Sequence, residues 1–153
     1  MATRVLVALA VLLLVSPAAA QSEVSPPSAQ PRRLIVTVHV RNDVGKVYCA
    51  IWRGPQGYPT ERERNAGETR DVTLANHRGV CVFEDLTPGE YAVAVFHDEN
   101  GNNDLDTNLF GIPSEGTGAS NDAHNMFGPP GYDDARFDFP DTRTHRITVH
   151  IHY

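Results

Sequence analysis

The chain has 153 residues, and its 13 Lys and Arg stand against 19 Asp and Glu, so the formal net charge is −6. An acidic chain lacks the basic contacts that the phosphate backbone of nucleic acid needs, and anionic lipid repels it. We therefore expect neither nucleic acid nor an anionic membrane surface as a partner.

The N-terminus has the features of a secretory signal peptide. Arg4 gives a basic start, residues 5–15 are apolar, and residues 18–20 are a run of Ala that suits cleavage. The apolar run is shorter than the roughly 20 residues that span a bilayer. A cleaved signal peptide over residues 1–20 is therefore favoured over a retained anchor. We expect a periplasmic or secreted protein with no membrane insertion after cleavage.

The rest of the chain divides into a linker and one domain. Residues 21–33 are rich in Ser, Pro and Gln and poor in apolar residues, which is typical of a disordered linker. Residues 34–153 have the length of a single domain. A domain of this size removes roughly two-thirds of its unfolded surface from water, so it can bury a substantial core.

Short stretches of alternating apolar and polar residues follow one another through the domain. Residues 34–40 and 46–52 are predicted as two strands, joined into a hairpin by a turn at residues 42–45. Further strands are expected at residues 72–74, 79–86, 91–97, 135–139 and 146–153. No segment has the period of an amphipathic helix. The pattern predicts an all-β fold, namely a single antiparallel β-sandwich.

The two cysteines, Cys49 and Cys81, are expected to form a disulfide. An even number of cysteines in an oxidising compartment favours a bond, and the strand alternation points both side chains inward. The bond would close a loop of about 33 residues and contribute roughly 3–4 kcal/mol through loop-closure entropy. The alternative is two buried free thiols, because Cys also packs well as a small apolar residue.

A long acidic loop separates the last two expected strands from the earlier ones. Residues 98–134 contain eight Asp and Glu and no Lys or Arg. A stretch of this length without secondary structure is uncommon inside a compact domain and is usually functional or disordered.

Oxygen-bearing side chains alternate at the start of this loop, at Asp98, Asn100, Asn102, Asp104 and Asp106. Calcium loops direct several oxygens at one ion in this way, and Gly101 permits the bend between them. The bidentate Glu expected at the twelfth position is missing, since Leu109 stands there, so Glu115 or Asp122 would have to replace it. With few carboxylates we expect calcium binding in the range of about 0.1–1 mM.

Two other interpretations of the loop remain open. Its Asn, Asp and Gly can form Asx turns that satisfy their own backbone, with the acids facing water. Alternatively, paired carboxylates with His97 would suit a small periplasmic hydrolase, for example one acting on glycosides. His97 itself is expected to hydrogen-bond a loop carboxylate rather than to bind metal.

Three further features lie outside the loop start. His150 and His152 share one strand face, and His39 joins them if the first and last strands pair. Three histidines suit zinc or copper, although a solvated outer face is the favoured interpretation. Trp52 is expected to pack under the loop that follows it. Residues 121–132 are apolar for a loop and form either a lid over one edge or a docking patch.

Two sequence motifs resemble known families. VFEDLTPGEY at residues 82–91 is similar to the F-x-x-L-x-P-G-x-Y hairpin of transthyretin-like and collagen-adhesin B-type domains. HDENGN at residues 97–102, with LD at 105–106 and GIPSEG at 111–116, closely resembles an exported bacterial family, domain of unknown function 2141. The likeness covers residues 34–153. It implies a transthyretin-like or immunoglobulin-like sandwich in the cell envelope, and it implies no reaction.

These observations together predict a non-enzymatic envelope module with a calcium-binding loop. Its partner would be an unidentified protein or cell-envelope ligand. A small hydrolase that uses the loop carboxylates and His97 is the alternative.

Overall fold

The computed structural model describes residues 31–61, 64–65, 67–125 and 128–153. The predicted signal peptide and all but the end of the predicted linker lie outside these residues. Within them, no helix is both long enough and apolar enough to cross a membrane.

The described chain forms eight strands and one short α-helix. In chain order these are β1 (Arg33–His39), β2 (Lys46–Trp52), β3 (Gly67–Val72), β4 (Arg78–Phe83), β5 (Gly89–Asp98), β6 (Gly116–Ala119), α1 (Tyr132–Ala135), β7 (Phe137–Phe139) and β8 (Thr144–His150). A 3-10 helix, Ser120–Asp122, directly follows β6.

The strands are arranged in two sheets. The first has the order β4-β1-β8 and the second the order β3-β2-β5-β6, with β7 also paired to β5. The prediction of an all-β fold is therefore confirmed. Its antiparallel character holds for every pairing except one, since β1 and β8 run parallel.

The predicted hairpin of the first two strands is wrong, because β1 and β2 belong to different sheets. The chain between them crosses from one sheet to the other instead of reversing. Gly45 lies in this crossing with φ +75°, and a Cβ there would lie 2.0 Å from the carbonyl oxygen of Asp98. Alternation identifies a strand but not its neighbour, so the crossing could not be read from the local pattern.

One hydrophobic core takes side chains from both sheets. Its fully buried members include Leu34, Val36 and Val38 of β1, Val47 and Ile51 of β2, Val93 of β5 and Val149 of β8. Ile147 and Ile151 pack against this core, so the inward face predicted for the last strand is confirmed. Each such side chain contributes about 1.5–3 kcal/mol through its removal from water.

The opposite face of β2 is buried as well. Trp52 is 2% exposed and meets the ring of Tyr58 edge-on at 5.2 Å, which confirms that it packs under the following loop. Tyr132 of α1 packs in turn on Tyr58 at 5.7 Å. This end of the predicted 121–132 lid therefore covers the second sheet, whereas Met126 and Phe127 lie outside the described residues.

The predicted disulfide is present between Cys49 of β2 and Cys81 of β4. The two Cα atoms are 6.4 Å apart and the residues are separated by 32 positions. Both cysteines are fully buried in the core. Because β2 and β4 lie in different sheets, the bond ties the two sheets together covalently.

Reduction of this disulfide should lower the free energy of unfolding by roughly 3–4 kcal/mol, because the unfolded chain regains the entropy of an open loop. Urea denaturation of the oxidised and the reduced protein measures the difference. The Cys49→Ala, Cys81→Ala double variant is the control and should not respond to reductant. Equal midpoints for oxidised and reduced protein would contradict the expectation.

Candidate functional site

Asp98, the last residue of β5, holds the beginning of the acidic loop. Its side chain is buried, with 3% exposed. One carboxylate oxygen accepts from the backbone N–H groups of Gly101 and Asn102 at 2.7 and 3.2 Å, and the other from that of Asn103 at 2.8 Å. The predicted first calcium ligand therefore closes a turn of its own loop.

Three further predicted ligands meet next to this turn. The side-chain amides of Asn100 and Asn102 each donate a hydrogen bond to one carboxylate oxygen of Asp106. The bond from Asn102 has a length of 3.0 Å. Their carbonyl oxygens accept from the backbone, Asn100 from Asn102 and Asn102 from Asp104, at 2.9 and 2.8 Å. The loop thus combines Asx turns with a convergence of two amides on one carboxylate.

Glu115 closes the far end of the loop. It is 7% exposed, and its two carboxylate oxygens accept from the backbone N–H groups of Glu99 and Asp106 at 2.9 and 3.3 Å. Glu115, one of the two candidates for the missing twelfth-position ligand, thus lies against the loop. Its carboxylate meets backbone donors there, and Asp122 lies elsewhere, against His150.

A cation from a distant strand end compensates one of the loop acids. Arg41 forms a two-point ion pair with Glu99, with its Nε 3.1 Å from one carboxylate oxygen, and Asn42 donates to the same oxygen at 2.8 Å. The hydrogen bond from Arg41 is the main reason why the pKa of Glu99 lies below its usual value. The absence of Lys and Arg inside the loop is therefore partly offset from outside it.

His97 does not hydrogen-bond to a carboxylate, so that expectation is wrong. The ring is fully buried; Nε2 lies 2.6 Å from the carbonyl oxygen of Val44 and Nδ1 lies 2.7 Å from the hydroxyl of Tyr153. Because a carbonyl oxygen only accepts, Nε2 carries the proton. Tyr153 also accepts from the backbone N–H of Arg41 at 3.1 Å. His97 thus joins three separate chain segments.

The middle of the loop displays an apolar tip formed by Leu109, Phe110 and Ile112. Their exposed fractions are 102%, 87% and 59%. Asn108 shapes the tip, because its side-chain oxygen accepts from the N–H groups of Phe110 and Ile112 at 2.9 and 3.1 Å. A β-bridge between Thr107 and Pro113 closes its base. The sequence interpretation placed the docking patch at residues 121–132 and missed this tip.

The three predicted histidines do not lie together, since only two of them are neighbours. His39 and His150 are neighbours on the parallel strands β1 and β8, with ring centroids 5.0 Å apart, whereas His152 lies 5.1 Å from His124. The pKa of His39 is lowered, mainly by burial and to a smaller extent by the charges of Arg78 and His150. Burial raises the pKa of Asp122, but the hydrogen bonds from His150 outweigh it and lower that pKa.

The described residues contain no group of three or more His, Cys, Asp or Glu placed to hold one metal ion. A surface depression of about 310 Å³ is lined by Glu90, Asp133, Arg136, Phe137 and Asp138. Neither His97 nor the acidic turn contributes to that depression. The depression therefore does not bring His97 and the loop carboxylates together, as the hydrolase interpretation requires.

Comparison with known proteins identifies one family. The family described as an uncharacterized protein conserved in bacteria, DUF2141, matches residues 35–148. The chain therefore belongs to this family, and the resemblance found in the loop motifs is confirmed. No curated protein and no solved structure matches the chain.

Replacement of Asp98 by Ala should lower the free energy of unfolding by at least about 2 kcal/mol, because three loop N–H groups lose their charged acceptor and a single such bond contributes about 1.5–3 kcal/mol. Urea denaturation measures this loss. Asp138→Ala, an exposed acid on β7, is the matched control and should change stability by no more than about 0.5 kcal/mol. Equal effects of the two substitutions would show that Asp98 does not organise the loop.

Proposed function

We propose that this member of the bacterial family is a non-enzymatic exported module of the cell envelope, which binds a partner through its acidic loop. The fold we assign to it is a transthyretin-like or immunoglobulin-like sandwich, secreted or retained in the periplasm. Two sheets that share one core support this fold. A buried disulfide supports an oxidising compartment, since such bonds are rare in the cytosol.

The apolar tip is the observation that carries the proposal. Leu109 and Phe110 are almost completely exposed, although each would gain about 1.5–3 kcal/mol from burial. The hydrogen bonds to Asn108 and the bridge below it order the tip before any partner arrives. An ordered tip loses less conformational entropy on binding than a flexible one, which favours affinity.

The charge of the loop indicates the chemistry of the partner. The exposed Asp104 and the partly exposed Asp106 precede the tip, and residues 98–134 contain no Lys or Arg. Complementary charge at the rim of an interface speeds encounter and selects the right partner. We therefore assign the tip to a protein with an apolar pocket bordered by basic side chains.

Calcium is the second part of the proposal. The predicted ligands are Asp98, Asn100, Asn102, Asp104 and Asp106. Support comes from the side chains of Asn100, Asn102 and Asp106, which already lie within hydrogen-bonding distance of one another. Calcium would have to displace the two amide donors from Asp106, and Asp98 is already bonded to the backbone. Binding should therefore be no tighter than the millimolar range of extracellular calcium modules.

The hydrolase alternative receives less support from the site. A general base must reach its substrate directly or through one water. His97 is fully buried, and both of its ring nitrogens are engaged, by Val44 and Tyr153.

A photo-crosslinking amino acid in place of Phe110 should trap one partner protein in cells that export the chain, whereas the same replacement at Val44 should not. Val44 is a matched control because it is 59% exposed on a different turn. The purified partner should then bind the Leu109→Ser, Phe110→Ser variant at least about 100-fold more weakly, because two buried apolar anchors are lost. Binding of the Val44→Ser variant should be unchanged.

Three results would overturn this assignment of the tip. The first is a purified partner that binds the tip variant as tightly as the parent. The second is sedimentation of the chain with phosphatidylcholine vesicles that depends on Phe110, which would point to a lipid surface. The third is a concentration-dependent dimer that the tip variant loses, which would point to a second copy of the chain.

Calcium at about ten times its dissociation constant should stabilise the protein by about 1.4 kcal/mol. That corresponds to a rise in melting temperature of about 5 °C relative to the protein in chelator. The rise should be absent in the Asp106→Asn variant, which keeps the size of the side chain but removes its charge. An equal rise in parent and variant, or with magnesium in place of calcium, would contradict a calcium site in this loop.

A further inference from the structure

Two imidazoles lie side by side where the first and last strands of the domain end. His39 of β1 and His150 of β8 are partners in the parallel register. Their rings are stacked, with an interplanar angle of 28° and a centroid separation of 5.0 Å. His39 is half-buried and His150 is exposed. Neither residue belongs to the part of the acidic loop that precedes β6, residues 98–115.

Asp122 fixes the orientation of the His150 ring. Its carboxylate accepts from the backbone N–H of His150 at 2.9 Å and lies 2.9 Å from the ring Nδ1. Because a carboxylate only accepts, Nδ1 carries the proton, and in the neutral ring the lone pair is on Nε2. Histidines that bind metal almost always donate their other ring nitrogen to a carboxylate or carbonyl in this way.

The backbone around Asp122 adopts the left-handed conformation. Asn121 and Asp122 have φ of +60° and +51°, a region that Asn and Asp adopt more readily than other residues with a side chain. Asn121 is anchored by a hydrogen bond from its amide to the carbonyl of Arg136 at 2.8 Å, and the buried Ser120 bonds to the carbonyl of Ala135. The short 3-10 helix therefore presents the carboxylate to His150 from a fixed place.

We propose that His39 and His150 form a binding site for a borderline divalent transition metal, with Asp122 as the positioning residue for His150. Imidazole nitrogen suits copper, nickel and zinc, and among these Cu²⁺ binds most tightly. The described residues offer no third ligand at this place, so water completes the coordination. The site differs in chemistry from the acidic loop, whose oxygen ligands suit calcium.

The test is titration of the untagged, metal-free protein with Cu²⁺ in a calorimeter, in the presence of a weak competing chelator. His39→Asn and His150→Asn should each weaken binding at least about tenfold, and Asp122→Asn should weaken it by about 10–100-fold, as loss of an orienting partner does at known sites. His145→Asn is the matched control on the same strand β8, and it should leave the affinity unchanged. Calcium in excess should not displace the copper.

Electron paramagnetic resonance of the Cu²⁺-loaded protein gives an independent readout, and the spectrum of the parent does not depend on how the variants fold. The parent should show hyperfine coupling to two imidazole nitrogens, and each single His variant should show coupling to one. A spectrum with one or no imidazole nitrogen in the parent would overturn the proposal. Equal loss of affinity in the His145 control, or none in the His39 variant, would reduce the binding to adventitious surface histidines.

Discussion

The acidic loop depends first on the buried carboxylate of Asp98. A buried charge is tolerated only when it is paired or fully hydrogen-bonded, and this carboxylate is balanced by three backbone N–H groups of the residues that follow it. Glu115 repeats the arrangement at the other end with two more N–H groups. The acids that look most like cation ligands in the sequence therefore also organise the loop backbone. Because the tip at residues 109–112 lies between them, these acids also determine its position.

The base of the loop is joined to the core through neighbouring segments of chain. His97 connects β5 to the turn at Val44 and to Tyr153, while Arg41 pairs with Glu99. Gly116 allows this packing, because a Cβ there would lie 2.3 Å from side-chain atoms of Ile151 and Tyr153. The residues that follow β8 therefore lie in direct contact with the base of the loop.

Local pattern was sufficient for part of this structure. Alternation located most of the strands, and the bounds of β2 and the inward face of β8 were predicted correctly. This is possible because apolar residues alternate with polar ones along a strand that is buried on one face. The Gly-rich β6 was missed, since GTGA has no apolar alternation. The partner of Glu99 was also missed, because Arg41 is 58 residues away. Exposure of the tip depends on tertiary packing. The apolar sequence of residues 109–112 is equally consistent with a segment buried in the core.

The parallel pairing of β8 with β1 has a consequence for the order in which the protein matures. In the first sheet, β8 contacts only β1, so this sheet consists of two strands until residues 144–150 are available. Contacts between the two ends of a domain form late and slowly, because a long stretch of chain must first be closed. A chain exported N-terminus first, as we propose, would then stay incompletely folded throughout its passage. It would reach its native state only after residues 144–150 had emerged.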